Sequence, residues 1–390
     1  MTVLSTTLNQ FINSNCNGIV AQISNLGGTL VDPTVSLCHS CYQHIPAYTY
    51  ALNNELWMSK SCRIHGISNH MIERDYDFVK KLVYNKQDSF NSGVLVEVSD
   101  RCNADCPHCY HMPDNKTIDK TSEELMAEIS KWYSPGLDIV LAGAEASLHK
   151  QFTSIVKTIK DRFKPNLIQV MTNGIRFADR EFLEETKAAG ATHLLFGLNH
   201  PSYLNNDTIR RKQLKAIELA NDIDMPIGYI GYTMSSMSEL EDILDETVNS
   251  NWQPKTYRIR YGSDIGRYPN QTRMYVSDIV KITEQWCTRN NKSFKILDHD
   301  NNIYHVMVDI EGQLYRLIQW CDETDINMEQ LRSGPWCDFV PDGVTNFLHQ
   351  VIRRDVFKNR GITLPDAPPR RYCVSGMNDG DLDFSNIHSN

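Results

Sequence analysis

The sequence predicts an α/β fold built on a parallel sheet, and three observations predict it. Six short β-like runs follow one another between about residues 93 and 262. An amphipathic segment separates each run from the next. Several of those segments open on helix-start signals. Strands in series joined by helices make a parallel sheet with the helices outside.

The runs are 94–98, 138–142, 167–171, 193–197, 227–231 and 257–261. Between the first two, Thr121-Ser122-Glu123-Glu124 reads as a capping box, in which the Thr121 hydroxyl takes one orphan N–H and Glu124 reaches back. Ser238 to Glu241 has the same form ahead of Ile243 and Leu244. Right-handed crossovers would curl the sheet into a full or partial barrel with its working loops at the strand C-termini. The periodicity fits an open, doubly wound sheet equally well. Before residue 93 the chain reads as loop-rich, ending in a helical run near 76–84. After about residue 270 the repeat reads as ending. A helix near 276–290 and β-like runs at 293–297, 304–309 and 314–318 follow, then a Gly-, Asp- and Asn-rich tail from Ser375.

Composition narrows the class. The 390 residues are 41% hydrophobic and 22% charged, values that bury a real core and exclude wholesale disorder. Lys plus Arg number 39 against 48 Asp plus Glu, a net charge of −9 that argues against a broad nucleic-acid footprint. No stretch approaches the roughly 18 to 20 apolar residues that span a bilayer. Residues 1–15 lack the charged and apolar regions of a signal peptide, so a cytoplasmic location is expected. Eleven cysteines, an odd number, then read as metal or cluster ligands rather than disulfides.

Three of them lie on one loop directly after the first run, in Cys102-Asn-Ala-Asp-Cys106-Pro-His-Cys109-Tyr110. An ordinary [4Fe–4S] cluster takes four cysteines, so three leave one iron open to substrate or cofactor. The same residues could instead make a closed structural zinc site completed by His108 or His111.

The loop resembles the CxxxCxxC-aromatic motif of the radical S-adenosylmethionine (radical SAM) superfamily. Gly143-Ala144-Glu145, ending the second run, is similar to its GGE motif, and Thr172-Asn173-Gly174 after the third is similar to its TNG turn. The resemblance implies a partial (β/α)6 TIM-like barrel with a small N-terminal metal-knuckle domain and an α+β C-terminal cap. It divides the chain into a segment 1–34, a knuckle domain 35–90, a core barrel 91–270, a substrate-capping region 271–374 and a tail 375–390.

It also implies that Cys102, Cys106 and Cys109 bind three irons of a [4Fe–4S] cluster while S-adenosylmethionine (SAM) chelates the fourth. Glu145 would accept a hydrogen bond from the methionyl amine, beside Gly143 and Asn173. The backbone around Tyr110 would lie along the adenine, with the strand Gly228 to Gly231, including Ile230, on its other side. Arg260, with Arg258 as second choice, is the expected partner of the SAM carboxylate. Ala144 and Ala146 depart from the family pattern, and Ala144 puts a positive-φ requirement in question.

The chemistry implied is reductive cleavage of SAM to methionine and a 5′-deoxyadenosyl radical. That radical would take hydrogen from an unactivated C–H of a small-molecule or lipid-like substrate, leading to C–C bond formation, methylation or rearrangement. A flavodoxin- or ferredoxin-like electron donor is implied as well. A peptide-modifying maturase and a non-catalytic zinc-binding interaction protein are the competing readings.

Near the N-terminus, Cys38-His-Ser-Cys41 and Cys62-Arg-Ile-His65 form a C-x2-C…C-x2-H pattern, the spacing of a zinc ribbon or a rubredoxin-like iron site. The surrounding sequence resembles the N-terminal extension of the radical SAM branch that includes tetraether-lipid synthases and pterin-methylating class D enzymes. Cys287, Cys321, Cys337 and Cys373 could ligate an auxiliary cluster but contain no C-x2-C pair, and read as ordinary buried thiols. Asp309, Trp320, Asp322, Trp336 and Asp338 are candidate pocket residues. Tyr229, Tyr232 and His200 are candidates for the barrel mouth, with core packing as the alternative.

Overall fold

The computed structural model describes residues 17–38, 44–81, 93–106, 109, 113–200, 206–261, 274–297 and 305–318. Cys41, His108, Tyr110, His111, Trp320, Cys321, Asp322, Trp336, Cys337, Asp338, Cys373 and the 375–390 tail lie outside them.

The N-terminal part is not loop-rich. After helix α1 (Asn17–Asn25) come strands β1 (Thr29–Leu37), β2 (His44–Leu52), β3 (Glu55–Cys62) and β4 (Gly66–Glu73), an antiparallel sheet in chain order. Two prolines hide this pattern in the sequence. Pro33 sits on the edge strand β1 at a register shift, where its missing N–H interrupts little. Pro46 precedes the β2–β3 register, which begins at Ala47↔Lys60. The turn between β2 and β3 is Asn53-Asn54, both at positive φ, the twist a tight hairpin prefers. Ala47, Leu56, Met58 and Ile72 form a small core closed by Val79 of helix α2 (Tyr76–Lys81).

The larger sheet begins with β5 (Gly93–Ser99). It alternates thereafter through helix α3 (Ser122–Trp132), β6 (Asp138–Gly143), α4 (Phe152–Phe163), β7 (Ile168–Thr172), α5 (Arg180–Ala189), β8 (His193–Asn199), α6 (Asp207–Asp222), β9 (Ile227–Met234), α7 (Ser238–Asn249) and β10 (Pro254–Tyr261). All six sequence runs are strands, and each lies beside the one before it, paired parallel. Right-handed crossovers in that order put the helices on one face, whereas a doubly wound sheet would reverse at a switch point. The order settles the ambiguity in favour of the barrel-like arrangement.

The repeat also runs past residue 270. Helix α8 (Val276–Arg289) leads to β11 (Phe294–Ile296), β12 (His305–Ile310) and β13 (Gln313–Ile318). β13 pairs parallel with β10, and β12 and β11 continue antiparallel beyond it. Among the described residues the nine-stranded order therefore runs from β11 to β5 as a partial barrel.

Val96, Leu141, Val170, Phe196, Ile230, Ile259 and Leu317 share one core with helix residues such as Ile129, Ile155, Ile217, Ile243 and Ile279. Strand alternation sends the residues between them, among them Gly197, Asn199, Tyr229, Thr233, Arg258, Arg260 and Arg316, to the opposite, barrel-facing side.

At α3 the capping box is formed, with Glu124 N donating to Thr121 Oγ1 at 3.2 Å and Thr121 N to Glu124 Oε2 at 2.7 Å. At α7 the expected box is replaced. Glu239, not Glu241, reaches back, accepting Ser235 N and Ser235 Oγ at 2.8 Å each. The sheets are joined by a buried carboxylate, as Glu73 at the end of β4 accepts from Ser277 Oγ (2.5 Å) and Ser277 N (3.3 Å) in the first turn of α8. No helix among the described residues is long and apolar enough to cross a membrane.

Candidate metal and cofactor sites

The knuckle is built by a hairpin. Cys62 pairs with Gly66, whose positive φ of 75° turns the chain so that His65 comes back over Cys62. Cys38, at the end of β1, completes the group. His65 Nδ1 lies 3.4 Å from Cys38 Sγ and 3.4 Å from Cys62 Sγ, and the three donor atoms fall within 4.8 Å of one another. Burial opposes the Cys62 thiolate. Backbone N–H groups of His65 and Ile64, with the His65 ring and the Cys38 thiol, outweigh it and bring the thiol down to about 7. Sulfur and imidazole at this spacing are zinc donors.

At the other site, the cysteine loop leaves β5 at the C-terminal edge of the sheet. It is held by Arg101, which pairs with Asp119 and donates through Nη2 to the Leu148 carbonyl at 2.9 Å. Burial works against the Asp119 charge, but Arg101 and the Ser99 hydroxyl hold its carboxyl below the usual range. Gly143 sits at φ 121°, and any Cβ there would collide with the Ser99 carbonyl, which instead accepts Ala144 N at 2.8 Å. The backbone demand that Ala144 put in question therefore falls on Gly143, and Ala144 keeps an ordinary φ.

Glu145 is 1% exposed. Its Oε1 accepts from Ser147 Oγ (2.5 Å), Thr172 Oγ1 (2.8 Å) and Ser147 N (3.4 Å), while Oε2 accepts Asn173 N at 2.7 Å. The carboxylate thus ties the end of β6 to the turn after β7. Burial pushes it above the usual carboxylate range, against the lowering effect of those donors.

Each residue of Thr172-Asn173-Gly174 has a separate task. The Thr172 hydroxyl accepts Gly174 N at 3.0 Å while donating to Glu145. Asn173 Oδ1 accepts Ile175 N at 2.9 Å, freeing Nδ2 to reach Asn103 Oδ1 (2.8 Å) and Cys102 Sγ (3.5 Å). Gly174, at φ 81°, packs where a Cβ would press on Phe196.

A second amide comes from the end of β8, where Asn199 Nδ2 lies 3.2 Å from Cys106 Sγ. Ala104 N reaches Cys102 Sγ at 3.3 Å. Burial pushes the Cys102 thiol up to about 12, with Glu145, Cys106 and Cys109 adding to the rise. Binding a metal there would release that proton. An all-sulfur donor set with amide N–H groups aimed at its sulfurs fits an iron–sulfur cluster. Asn199 and Arg101 were missed in the sequence, although Asn199 lies two residues past the fourth run, where barrel chemistry collects.

Other expected residues fall elsewhere. Gly228 is the second residue of β9, against Leu195, at the strand end remote from the cysteine loop. Ile230 is fully buried in the helix-packed core. Tyr232 also faces the helices, donating to Glu246 Oε2 of α7 at 2.6 Å, so core packing rather than the barrel mouth accounts for it. His200 Nε2 lies 3.4 Å from Asp242. Asp309 accepts Gly312 N at 2.9 Å in the β12–β13 turn. Arg260, facing the barrel, donates through Nε to Thr233 Oγ1 at 2.9 Å. Cys287 is buried in the core beside Trp286, and burial raises its thiol to about 11. Spacing along one strand could not reveal which residues faced the site, because neighbouring-strand register decides it.

Residues 96–247 match the Radical SAM superfamily, and the chain carries that domain, which implies a [4Fe–4S] cluster and SAM. Residues 30–74 match the HMPTM N-terminal zinc ribbon domain, so the metal knuckle precedes the radical SAM domain on one chain. No curated protein matches the chain. Among solved structures, Streptococcus suis SuiB bound to S-adenosylmethionine is similar at 11% identity and TM-score 0.40, covering 55% of this chain and 51% of its own. The FeFe-hydrogenase maturase HydG from Carboxydothermus hydrogenoformans is similar at 17% identity and TM-score 0.37, covering 55% and 54%. The chain thus spans about half the length of these structures.

Proposed function

We propose that this protein is a radical SAM enzyme acting on a small-molecule or lipid-like substrate, with Cys102, Cys106 and Cys109 holding its [4Fe–4S] cluster. The observation that carries the reading is the pair of strand-end amides, Asn173 and Asn199, directed at Cys102 and Cys106 sulfurs. When bound, the cluster and SAM supply one-electron cleavage of the sulfonium, giving methionine and a 5′-deoxyadenosyl radical that takes hydrogen from a C–H bond.

The chain's own residues bind, orient and shield. Glu145 would take the methionyl ammonium at Oε2, which accepts one hydrogen bond where Oε1 accepts three. A cation there favours the charged carboxylate that burial alone disfavours. Arg260, beside Thr233, is the candidate for the SAM carboxylate. Cys38, Cys62 and His65, with Cys41, would hold a structural zinc. A low-potential flavodoxin or ferredoxin would deliver the electron. The cytoplasm is the compartment in which such reduced thiols persist.

The test is anaerobic purification with iron and sulfide analysis, then dithionite reduction with SAM and chromatography of the nucleoside. Brown protein yielding 5′-deoxyadenosine supports the reading. Zinc alone, with no nucleoside after cluster reconstitution, overturns it.

A further inference from the structure

One row of the sheet crosses five strands with an unusual set of residues on the barrel-facing side. Gly197 of β8 pairs with Gly231 of β9, Gly231 with Arg258 of β10, Arg258 with Arg316 of β13, and Arg316 with Met307 of β12. Their chain neighbours Tyr257, Ile259, Tyr315 and Leu317 pack on the helices, so the two guanidinium groups project the other way. Arg258 and Arg316 thus stand side by side on adjacent strands.

The geometry of Arg258 is already that of a receptor. Its guanidinium carbon lies 3.8 Å from the centroid of the Tyr229 ring, which fixes the plane of the group. Its Nε is buried and has no hydrogen-bond partner among the described residues. That N–H is half of the side-on edge with which arginine grips a carboxylate or phosphate through two parallel bonds. Arg316 is steadied on the next strand by Nε contacting Met307 Sδ at 3.3 Å. The row is open at Gly197, where an added Cβ would meet only the Thr172 carbonyl, at 3.8 Å, among the described residues, whereas at Gly231 the Tyr229 ring and the Phe196 carbonyl already stand 3.4 Å from such a Cβ.

The row above, nearer the strand C-termini, contains Asn199, Thr233 and Arg260. Asn199 touches the Cys106 sulfur there. The two rows are two residues apart, about 7 Å along the strands. Arg260 therefore shares a row with the cofactor side of the site, and Arg258 lies beneath it.

We infer that Arg258 and Arg316 form an oxyanion subsite at the floor of the barrel, which takes a carboxylate or phosphate group of the substrate and leaves its other end toward the cysteine loop. This substrate role rests on the radical SAM reading, but binding at the subsite can be measured apart from it.

The full-length, anaerobically reconstituted chain is titrated calorimetrically with inorganic phosphate, with succinate and with SAM. The wild-type chain is expected to bind phosphate or succinate, and the tighter of the two names the source of the oxyanion. Arg258→Met should weaken that binding about tenfold or more, the loss of a charge-assisted pair, and leave SAM affinity unchanged. Gly197→Leu keeps both arginines but fills the opening, and should weaken the same ligand, so it carries the test if Arg258→Met fails to fold. Wild-type protein that binds neither oxyanion overturns the inference. So does an Arg258→Met chain that binds as tightly as wild type, or one whose loss is confined to SAM. SAM binding without oxyanion binding sinks this inference alone, whereas oxyanion binding without SAM binding sinks the radical SAM reading and leaves an anion site.

Discussion

The two cysteine sites of this chain are built in opposite ways. The knuckle is set by a hairpin whose own backbone N–H groups lower the Cys62 thiol to about 7, so its donors are poised before any metal arrives. The loop after β5 holds Cys102 with its thiol pushed up to about 12, and its fixed points lie beyond other strands: the Leu148 carbonyl after β6 takes Arg101, Asn173 after β7 reaches Cys102, and Asn199 at the end of β8 reaches Cys106. A structural metal site can be local, because it has only to close. A site that leaves one position open takes its rigidity from the surrounding framework.

The largest effect that sharpens this contrast is expected at the loop. Cys106→Ala should abolish 5′-deoxyadenosine formation and strip the iron while leaving zinc content unchanged. Nucleoside chromatography beside metal analysis reads both, and a variant that keeps its cluster and activity would break the comparison.

Next comes the framework beneath the loop. Gly143→Ala places a Cβ against the Ser99 carbonyl at a φ of 121°, which should cost about 3 kcal/mol through strain and displacement. The melting temperature should fall, and iron retention should fall with it while zinc stays bound.

The knuckle should respond to pH instead. A thiol depressed in the folded state stabilises it fully above the ordinary thiol range, and that contribution disappears as pH falls through about 7. In the metal-free chain, the melting-temperature difference between wild type and Cys62→Ser should therefore shrink between about pH 9 and pH 7. A difference that is flat across this window counts against local preparation of the site.

The smallest effect is expected where the two parts touch. Arg74 pairs with Asp278 at 3.3 Å, but its side chain is 56% exposed, so Arg74→Ala should cost less than about 1 kcal/mol. A larger loss in a denaturant titration would mean that the ribbon and the barrel are coupled through the surface as well as through buried Glu73.

Much of the fold was legible because its signals are local. The six parallel strands showed as short apolar runs, and the α3 capping box as residues three apart. The N-terminal sheet was not legible, because Pro33 and Pro46 resemble loop residues until the edge position of one and the register of the other are known. The continuation through β13 was hidden because its partner β10 lies more than fifty residues earlier, and the intervening hairpin carries no βα rhythm. The same limit applies to the sites. Cys62 and His65 could be paired from spacing, whereas nothing in the order of residues says that Gly228 lies at the far end of β9 from the cysteine loop.

By itself the sequence determined the strands and helices of the barrel, the three-cysteine loop, the TNG turn and the close spacing of Cys62 and His65. Each is decided by neighbours a few residues away, through side-chain period, turn geometry or ligand spacing. Only the tertiary structure decided that Asn199 meets Cys106, that Glu73 reaches the start of α8 and that Arg258 stands beside Arg316. Those contacts join residues from 58 to more than 200 positions apart. They depend on strand register and the docking of one sheet on another, which the packing of the whole chain sets at once.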